Sequence, residues 1–261
     1  MKEITSLQNA TIKETKKLLK PKYREQTGDY LIEGEHLIQE ALKEALNFEK
    51  IFVTEKFIAN HETFELLKAS TDVFLVSEQV MKSLSSLPTP QGIAGVLQQQ
   101  EKPLQFPLEG PLLILDRVQD PGNVGTMIRT ADAAGYAGVV LGEGCADIYS
   151  GKVQRSLQGS HFHLPVVQKK LETFLPFLKE NGIQLLGTAL DEEAKIYTEF
   201  TPEKNFALIM GNEGQGVAQQ FLQLTDRNLY IPIHGQAESL NVAVAAGILM
   251  YGLKGKILQK Y

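Results

Sequence analysis

Residues 205–252 read NFALIMGNEGQGVAQQFLQLTDRNLYIPIHGQAESLNVAVAAGILMYG and predict the architecture on which the chain is organised. The apolar run Phe206–Met210 has the length of a buried strand, and the three glycines of Gly211–Gly216 predict a tight loop directly after it. A short helix, a second strand at Leu229–Ile233 and a long helix of small and apolar residues follow. In α/β sheets the loops after such strands meet at one edge, where backbone N–H groups and helix N-termini bind ligands.

The loop Gly211–Gly216 has the glycine order G-x-x-G-x-G, which matches neither the dinucleotide-binding fingerprint nor a phosphate-binding P-loop. Taken alone, the loop is equally well explained as a tight strand-to-helix turn. The tripeptide Ser239–Asn241 adds to it, because two polar side chains open an otherwise apolar helix for which a single cap is sufficient. Together the two segments indicate a binding site at this edge of the sheet.

The composition restricts the class of protein. Of 261 residues, 43% are hydrophobic and 22% are charged, as in a globular protein with two ordinary domains or one large one. The net charge of −5 means that any contact with nucleic acid depends on local basic patches. The single cysteine, Cys145, excludes an intrachain disulfide and a cysteine-rich zinc site. With no apolar run near the roughly 20 residues of a membrane span and no secretion signal, we expect a cytoplasmic protein without membrane contact.

The first two dozen residues are basic, in contrast to the acidic balance of the whole chain. A helix beginning at Asn9 or Thr11 carries lysines on adjoining faces, which suits contacts with RNA phosphates. The competing explanation is a solvated helix face without a partner. The candidate RNA-binding residues are Lys13, Lys16, Lys17, Lys20 and Arg24.

Strands and helices alternate as far as residue 97, and a proline-containing linker follows at residues 101–111. The predicted strands are Tyr30–Glu33, Ile51–Thr54, Val73–Val76 and Ile93–Leu97, and the predicted helices are Gly34–Leu46, Phe57–Ala69 and Ser77–Leu87. We therefore predict a small α/β domain at residues 1–105 and a second domain at residues 106–261. The first domain has no cluster of histidines, cysteines and carboxylates and no nucleophile beside a base, which predicts a binding module.

The second domain begins with a buried strand at Leu112–Asp116, and a helix follows for which Asn123 is the expected N-cap. On that helix Arg129 lies about 100° from the neighbouring residue of the apolar stripe, so its guanidinium is free to face a ligand. The competing explanation is an exposed arginine that pairs with Asp132 or Asp116.

Regular alternation continues through the rest of the second domain. Strands are predicted at Gly138–Leu141, Leu164–Val167 and Ile183–Leu190, and helices near Tyr149–Leu157 and at Leu171–Glu180. This pattern predicts a mainly parallel sheet covered by helices on both faces. His161 and His163 alternate on a stretch that we interpret as strand-like. Because no third ligand lies nearby, we expect no metal site.

Three blocks of the second domain resemble motifs one, two and three of the SpoU/TrmH family of RNA ribose 2′-O-methyltransferases. The blocks are Asn123–Ala131, Ile209–Gly216 and Ile231–Ala245, in the right order and spacing, and the resemblance covers roughly residues 110–255. The segments Tyr30–Gly34 and Gln91–Ala94 are similar to the substrate-binding domain of the family.

The resemblance implies an α/β catalytic domain of the SPOUT class that ends in a trefoil knot, with S-adenosylmethionine bound by the knot loops. It also implies a homodimer, for which the small-residue helix Val242–Gly252 suits close contact. The implied cofactor contacts are the backbone of Gly211, Ile231 and Leu240, with Thr188, Asn212, Glu213 and Gly214 nearby. The implied catalytic residues are Arg129, Asn123, Ser239 and Asn241.

The chemistry of such an enzyme is mainly positioning. A sulfonium methyl group is already a strong electrophile, so the enzyme must align it with a ribose 2′-hydroxyl and assist the loss of a proton. By resemblance, Arg129 approaches that hydroxyl or the adjacent phosphate, Asn123 orients the site, and Ser239 and Asn241 hydrogen-bond the nucleotide. Because a guanidinium pKa lies above about 12, we interpret Arg129 as a phosphate clamp and a donor to the developing alkoxide rather than as the general base.

The class of RNA is a further expectation. A separate N-terminal domain with a basic start resembles members that act on 23S ribosomal RNA more than members that act on transfer RNA, which is the alternative substrate. A non-catalytic RNA-binding protein that retains the knotted fold is a second alternative, against which the intact catalytic residues argue. A metabolic enzyme with a nucleotide cofactor is disfavoured, because Gly122–Gly125 does not supply the G-x-G-x-x-G loop that it needs.

Overall fold

The computed structural model describes residues 1–59 and 72–260, with only the backbone of residues 258–260. The chain forms two compact units. The N-terminal unit combines Met1–Gln100 with Asp147–Phe162, and the C-terminal unit combines Glu101–Ala146 with His163–Tyr261. By its contacts the segment Asp147–Phe162 thus belongs to the N-terminal unit, although in sequence it lies within the predicted second domain.

The N-terminal unit is built on one five-stranded sheet. Up to residue 100 its described elements are β1 (Lys2–Ile4), α1 (Ala10–Lys17), α2 (Pro21–Thr27), β2 (Asp29–Glu33), α3 (Glu35–Lys43), β3 (Phe48–Val53), α4 (Glu55–Ile58), β4 (Val73–Val76), α5 (Glu78–Leu84) and β5 (Ile93–Gln98). The strand order is β1-β4-β3-β5-β2, and β5 is antiparallel to both of its neighbours. Ile51 and Val53 pack into one apolar cluster and Phe52 into another, so the sheet is covered on both faces.

The predicted helix starts in this unit are partly confirmed. Asn9 caps α1 by accepting a hydrogen bond from the backbone N–H of Thr11 at 2.9 Å. Ser77 caps α5 in the same way through Val80. The predicted helix Phe57–Ala69 begins earlier, as α4, and residues 60–69 lie outside the described residues.

The C-terminal unit is built on a seven-stranded sheet. From residue 101 the described elements are β6 (Leu112–Leu115), α6 (Pro121–Ala133), β7 (Gly138–Leu141), α7 (Gly151–Leu157), α8 (Ser160–His163), β8 (Val166–Gln168), α9 (Leu171–Glu180), β9 (Gln184–Thr188), β10 (Lys195–Ile196), β11 (Phe206–Met210), α10 (Gln219–Leu222), β12 (Arg227–Tyr230) and α11 (Val242–Lys260). The strand order is β10-β12-β9-β11-β6-β7-β8, and every neighbouring pair is parallel. The predicted parallel sheet is confirmed, and β6 and β11 are buried at every position.

Helices α6 and α11 lie side by side in the same direction. Their first turns are joined by a hydrogen bond between Asn123 and Asn241, Gly247 faces Thr130 further along, and Lys254 donates to the carbonyl of Ala134 at the far end. Both N-termini therefore lie at the same edge of the sheet. Along residues 1–59 and 72–260, no helix is long and apolar enough to cross a membrane.

Helix α6 begins before its predicted N-cap. Asp120, not Asn123, caps the helix, and its carboxylate accepts a hydrogen bond from the backbone N–H of Asn123 at 2.9 Å. Pro121 occupies the first helical position, where its missing N–H has no cost. The side chain of Asn123 is consequently released from capping.

Strand β12 ends before its predicted terminus. The expected strand was Leu229–Ile233, but the ladder with β9 pairs Arg227, Asn228 and Leu229 and stops there. Pro232 has no N–H with which to continue a ladder, so Ile231 enters the following loop.

The stretch with His161 and His163 is helical as α8, which corrects the strand-like interpretation. Gln158 and Gly159 both have positive φ, 53° and 92°, and turn the chain directly from α7 into α8. His161 Nε2 lies 3.1 Å from the hydroxyl of Tyr30, and His163 Nδ1 lies 2.9 Å from the carboxylate of Asp132. Among the described residues, no group of three or more histidines, cysteines and carboxylates is placed to hold a metal ion.

Candidate active site

A cavity of about 330 Å³ lies at the carboxyl edge of the C-terminal unit's sheet and is called here the edge cavity. Its wall includes Thr188 at the end of β9, Gly211 directly after β11 and Ile231 directly after β12. Because the strands are parallel, these ends meet at one edge. Helix α11 contributes Val242 and Ala245 to the wall.

Most of the residues predicted to contact the cofactor meet at the edge cavity. Thr188, Gly211, Asn212, Glu213, Ile231 and Leu240 line it, whereas Gly214 does not. Of the predicted catalytic residues, Ser239 lines the cavity, and Asn123, Arg129 and Asn241 lie outside its wall.

The loop Gly211–Gly216 is closed by its own hydrogen bonds. The backbones of Asn212 and Gly216 pair with each other at 3.1 and 2.9 Å. The Asn212 side chain accepts from the N–H groups of Gly214 and Gln215 at 3.0 and 3.1 Å and donates to the carbonyl of Arg117 at 2.9 Å. Asn212 therefore shapes the loop with its side chain and presents the adjoining backbone to the cavity.

Position 211 requires a glycine, because the backbone there lies very close to another segment of the backbone. A Cβ atom at this position would overlap the main chain of Gly216 and Val217. No side chain can relieve that overlap, because both neighbours are backbone rather than flexible side-chain ends.

Asp116 and Arg117, at the end of β6, are functional candidates that the sequence analysis did not identify. The buried Asp116 carboxylate accepts from the N–H of Ala218 at 2.7 Å and from Arg117 Nε at 2.9 Å. Arg117, whose φ is 54°, donates to the side-chain oxygen of Gln215 at 3.0 Å. These bonds hold the C-terminal end of the glycine loop, and the residues just after it, against the end of β6. The only signal in the sequence was an aspartate directly after an apolar strand.

Glu213 ties the glycine loop to the start of α6. Its carboxylate accepts from the backbone N–H of Asp120 at 3.1 Å, that of Gln119 at 3.4 Å and the Asn123 side chain at 3.1 Å. Burial acts to raise the pKa of the Glu213 carboxyl, but these hydrogen bonds outweigh burial and lower the pKa below its ordinary value. An anionic Glu213 at a helix N-terminus is also favoured by the helix dipole.

Asn241 continues this network to α11. Its Nδ2 donates to Asn123 Oδ1 at 3.0 Å, and its Oδ1 caps α11 by accepting from Ala243 and Val244 at 2.9 and 3.2 Å. Since Asn241 is the cap, Ser239 is the polar residue that the helix does not need. Within the described residues, the Ser239 hydroxyl has no hydrogen-bond partner, and it faces the edge cavity.

Arg129 is exposed on α6, and no described residue pairs with its guanidinium. The two carboxylates that could have paired with Arg129 have other partners: Asp116 pairs with Arg117, and Asp132 pairs with His163. Arg129 is six positions after Asn123 along the helix, which corresponds to about 9 Å at a rise of 1.5 Å per residue. The guanidinium is thus available to an anionic ligand.

Residues 110–251 match the model of the SpoU rRNA methylase family, and residues 9–95 match that of the MRM3-like substrate-binding domain. The chain belongs to the SpoU rRNA methylase family. Membership in the SpoU family confirms the expectation of an RNA methyltransferase that uses S-adenosylmethionine.

Relatives of this SpoU family chain match over nearly its whole length. It is 47% identical over 255 residues to 23S rRNA (guanosine(2553)-2′-O)-methyltransferase RlmP of Bacillus subtilis (strain 168), covering 98% of this chain and 100% of that protein. It is 35% identical to the uncharacterized tRNA/rRNA methyltransferase slr1673 of Synechocystis, covering 95% and 92%.

Solved structures of SpoU-type enzymes share the fold. The AdoMet-bound rRNA methyltransferase from Sinorhizobium meliloti superposes with a TM-score of 0.86 at 30% identity, covering 97% of each chain. A second structure, the SpoU methyltransferase AviRb from Streptomyces viridochromogenes in complex with AdoMet, superposes with a TM-score of 0.87. The sequence identity is 25%, and the match covers 96% of this chain and 99% of that one. The predicted SPOUT-type α/β fold is thereby confirmed.

S-adenosylmethionine, abbreviated AdoMet, fits the edge cavity of this SpoU family chain. The volume of about 330 Å³ lies in the range of small-ligand sites. Apolar side chains, among them Leu229 and Leu249, line one part, and the backbone of the loops around Gly211 and Ile231 lines another. An adenosine derivative needs this combination of apolar surface with backbone donors and acceptors.

In the N-terminal unit, four of the five residues predicted to bind RNA lie on α1 or shortly after it with exposed or half-buried side chains, whereas the fifth, Arg24, is buried. Lys13, Lys16 and Lys20 are exposed, and Lys17 forms an ion pair with Glu14 at 2.7 Å. Arg24 is only 3% exposed, and its guanidinium donates to the carbonyl of Leu18 and to Asp147. The prediction of a phosphate contact from Arg24 is therefore wrong, because its donors are directed into the unit.

Proposed function

We propose that this SpoU family enzyme methylates the ribose 2′-hydroxyl of a guanosine in 23S ribosomal RNA. The observation that carries the proposal is the hydrogen-bond chain from Glu213 through Asn123 to Asn241 beside the edge cavity, together with the partner-free Ser239 and Arg129. The substrate is inferred from the relative that is 47% identical over its full length. Transfer RNA is the alternative substrate.

Bound S-adenosylmethionine supplies an electrophilic methyl group, and the chain's own residues position the acceptor. The Ser239 hydroxyl, at the cavity wall, hydrogen-bonds the reacting nucleotide. Asn123 and Asn241 fix the start of α11 and so hold Ser239 at that wall. Arg129 binds the adjacent phosphate through its planar fork of donors and stabilises the developing alkoxide, which is the kind of preorganised charge that lowers a barrier most.

The deciding experiment is a map of ribose methylation in all ribosomal and transfer RNA from cells with and without this protein. We expect one guanosine in 23S ribosomal RNA to lose its 2′-O-methyl group and to regain it when the wild-type chain is restored. Loss confined to transfer RNA supports the alternative substrate. An unchanged map, with purified protein that does not bind S-adenosylmethionine in calorimetry, supports a non-catalytic RNA-binding protein.

We also propose that the enzyme is a homodimer joined through α11. Val244 and Tyr251, seven residues apart and therefore on one face of the helix, are 53% and 55% exposed. Exposed apolar residues on one face of a helix whose other described side chains are buried or half-buried are typical of a subunit interface. Light scattering coupled to gel filtration should give twice the monomer mass for the wild type and the monomer mass for Tyr251→Glu. A monomeric wild type contradicts the proposal.

We propose further that the C-terminal segment forms a trefoil knot, as the family resemblance implies. The support is the position of β12 between β10 and β9, with the following loop at Ile231 and Leu240 returning to the cavity beside Gly211. A crystal structure tests the proposal, since the backbone path through residues 184–260 is either threaded or not.

The cytoplasm is the proposed location, because ribosomal RNA is the proposed substrate. The free thiol of Cys145 is partly buried, and burial raises its pKa to about 11, which makes it a poor nucleophile in a reducing compartment. Cell fractionation followed by immunoblotting tests this location, and recovery in any other fraction contradicts it.

A further inference from the structure

A second cavity, of about 590 Å³, lies elsewhere in the C-terminal unit, between the linker that precedes β6 and helix α9. It is called here the linker groove. The rings of Phe106, on the linker, and Phe177, on α9, meet edge to face with centroids 5.2 Å apart, and each residue is 40% exposed. Phe174 stacks beside Phe177 at 5.9 Å. A contiguous exposed aromatic surface of this kind marks a site of interaction.

One end of the linker groove is basic. Lys169 and Lys170 line it directly after β8, and both are exposed. Neither forms an ion pair with a described residue. Glu101 is the carboxylate in the wall, so the lysines outnumber it two to one. Aromatic faces next to uncompensated lysines complement a ligand that has flat rings and negative charge.

The sheet order places this basic end on the same edge as the edge cavity. Counting from β11, the neighbours are β6, β7 and then β8, and all are parallel. Lys169 therefore follows the carboxyl end of β8 just as Gly211 follows that of β11. Three strand spacings of about 4.8 Å correspond to about 14 Å along the edge. A few nucleotides of extended RNA span such a distance.

We propose that the linker groove binds a single-stranded segment of the RNA substrate next to the methylated nucleotide. Bases stack on Phe106 and Phe177, and phosphates lie beside Lys169 and Lys170. Stacking on aromatic rings along a basic groove is the general means by which proteins bind single strands, whereas a duplex hides its base faces. The inference rests on the proposed function, because it assigns this surface to the same RNA.

The test is the binding of a fluorescent, unstructured 12-nucleotide RNA to the full-length protein, measured by anisotropy at several salt concentrations. Lys169→Glu and Lys170→Glu are compared with Lys195→Glu, a matched control at an exposed lysine on β10, the strand at the other end of the sheet from β8. Each of the first two should weaken binding about five- to tenfold and reduce the salt slope by about one. The control should change the affinity less than about twofold, because its lysine should contact no phosphate of the bound RNA.

A second pair of variants tests the aromatic wall. Phe177→Ala should weaken binding about fivefold or more, and Phe177→Tyr should restore it, because a tyrosine ring also stacks on bases. A melting temperature for Phe177→Tyr near that of the wild type shows that the rescue variant is folded. The affinity for a 12-base-pair duplex RNA should be the same in Phe177→Ala as in the wild type.

Three results overturn the proposal. One is an equal loss of affinity in Lys195→Glu and Lys169→Glu. Another is an equal effect of Phe177→Ala on duplex and single-stranded RNA. The third is a change of oligomeric mass in Phe177→Ala with unchanged RNA affinity, which assigns the groove to a second copy of the chain. Failure of the proposed function is separate, since it shows as absent methyl transfer by the wild type, whereas the oligonucleotide measurements need no turnover.

Discussion

Asn241 Nδ2 donates a hydrogen bond to Asn123 Oδ1 at 3.0 Å, joining two helix starts that are 118 residues apart in sequence. The same Asn241 side chain caps α11 through its oxygen, and Asn123 donates onward to Glu213. Two helix N-termini and the glycine loop are thereby fixed to one another beside the edge cavity. Asn241 thus has two roles, capping and bridging, which substitutions can separate.

Asn241→Asp should keep the cap and lose the bridge. A carboxylate accepts from Ala243 and Val244 as the amide does, but it has no donor for Asn123. We expect a free energy of unfolding within about 0.5 kcal/mol of the wild type, because aspartate and asparagine cap equally well. Methyl transfer should fall at least about tenfold, which corresponds to 1.4 kcal/mol of transition-state stabilisation. Denaturant unfolding and single-turnover kinetics measure the two effects.

Asn241→Ala is the comparison that removes both roles. It should lose activity as Asn241→Asp does and also lose about 1 kcal/mol of stability, the usual value of an N-cap. Full activity in Asn241→Asp would show that the bond to Asn123 has no part in the reaction.

Arg129→Lys should retain affinity for RNA and lose most turnover. A lysine supplies a point charge to the phosphate but cannot reproduce the planar fork of guanidinium donors. We expect kcat to fall about 100-fold and KM for RNA to change only a few-fold, as when an interaction is made mainly in the transition state. Steady-state kinetics on the substrate RNA provide both values. Near-normal kcat in this variant contradicts the role given to Arg129.

Gly211→Ala should abolish cofactor binding, and Gly214→Ala is its matched control in the same loop. A Cβ at Gly211 overlaps the backbone of Gly216 and Val217, whereas the nearest atom to a Cβ at Gly214 is Asn212 Oδ1 at 3.7 Å. We expect loss of at least about 2 kcal/mol of stability in the first variant, the scale of severe overpacking, and less than about 0.5 kcal/mol in the second. Calorimetry with S-adenosylmethionine and thermal unfolding distinguish them. Similar behaviour of the two variants refutes the close approach at Gly211.

Glu213→Gln should change the pH dependence of stability. The pKa of Glu213 in the folded chain is lowered by its hydrogen bonds, so its ionised form stabilises the fold at a pH above the ordinary glutamate pKa of about 4.3. That contribution disappears as the pH falls through the lower folded-state pKa. The melting temperature of the wild type should therefore be higher than that of Glu213→Gln at pH 7. This gap in melting temperature should close below about pH 4.

Thermal unfolding of wild type and Glu213→Gln between pH 3 and 7 measures this gap directly. The other carboxylates titrate in both proteins, so they cancel in the difference. A gap that is constant over the whole range contradicts an ionised, hydrogen-bonded Glu213.

Local sequence pattern predicted the parts of the site that depend on local physics. The apolar run Phe206–Met210, the glycines after it and the proline that ends β12 each act within a few residues, so strand, loop and strand were all found. The binding edge followed as well, because parallel strands bring their carboxyl ends together whatever their order. The motif resemblance then identified the family.

Only the tertiary structure decided which polar groups meet. Arg24 has the sequence context of a surface lysine-rich helix, yet packing directs its donors to Leu18 and Asp147. The hydrogen bonds between Arg117 and Gln215 and between Asn123 and Asn241 join residues that are 98 and 118 positions apart in sequence. The strand order brings these partners together. By itself the sequence determined the elements, the glycine loop and the family, because periodicity and backbone conformation are local properties. The pairing of charges and amides was decided by the fold, because it depends on which strands become neighbours.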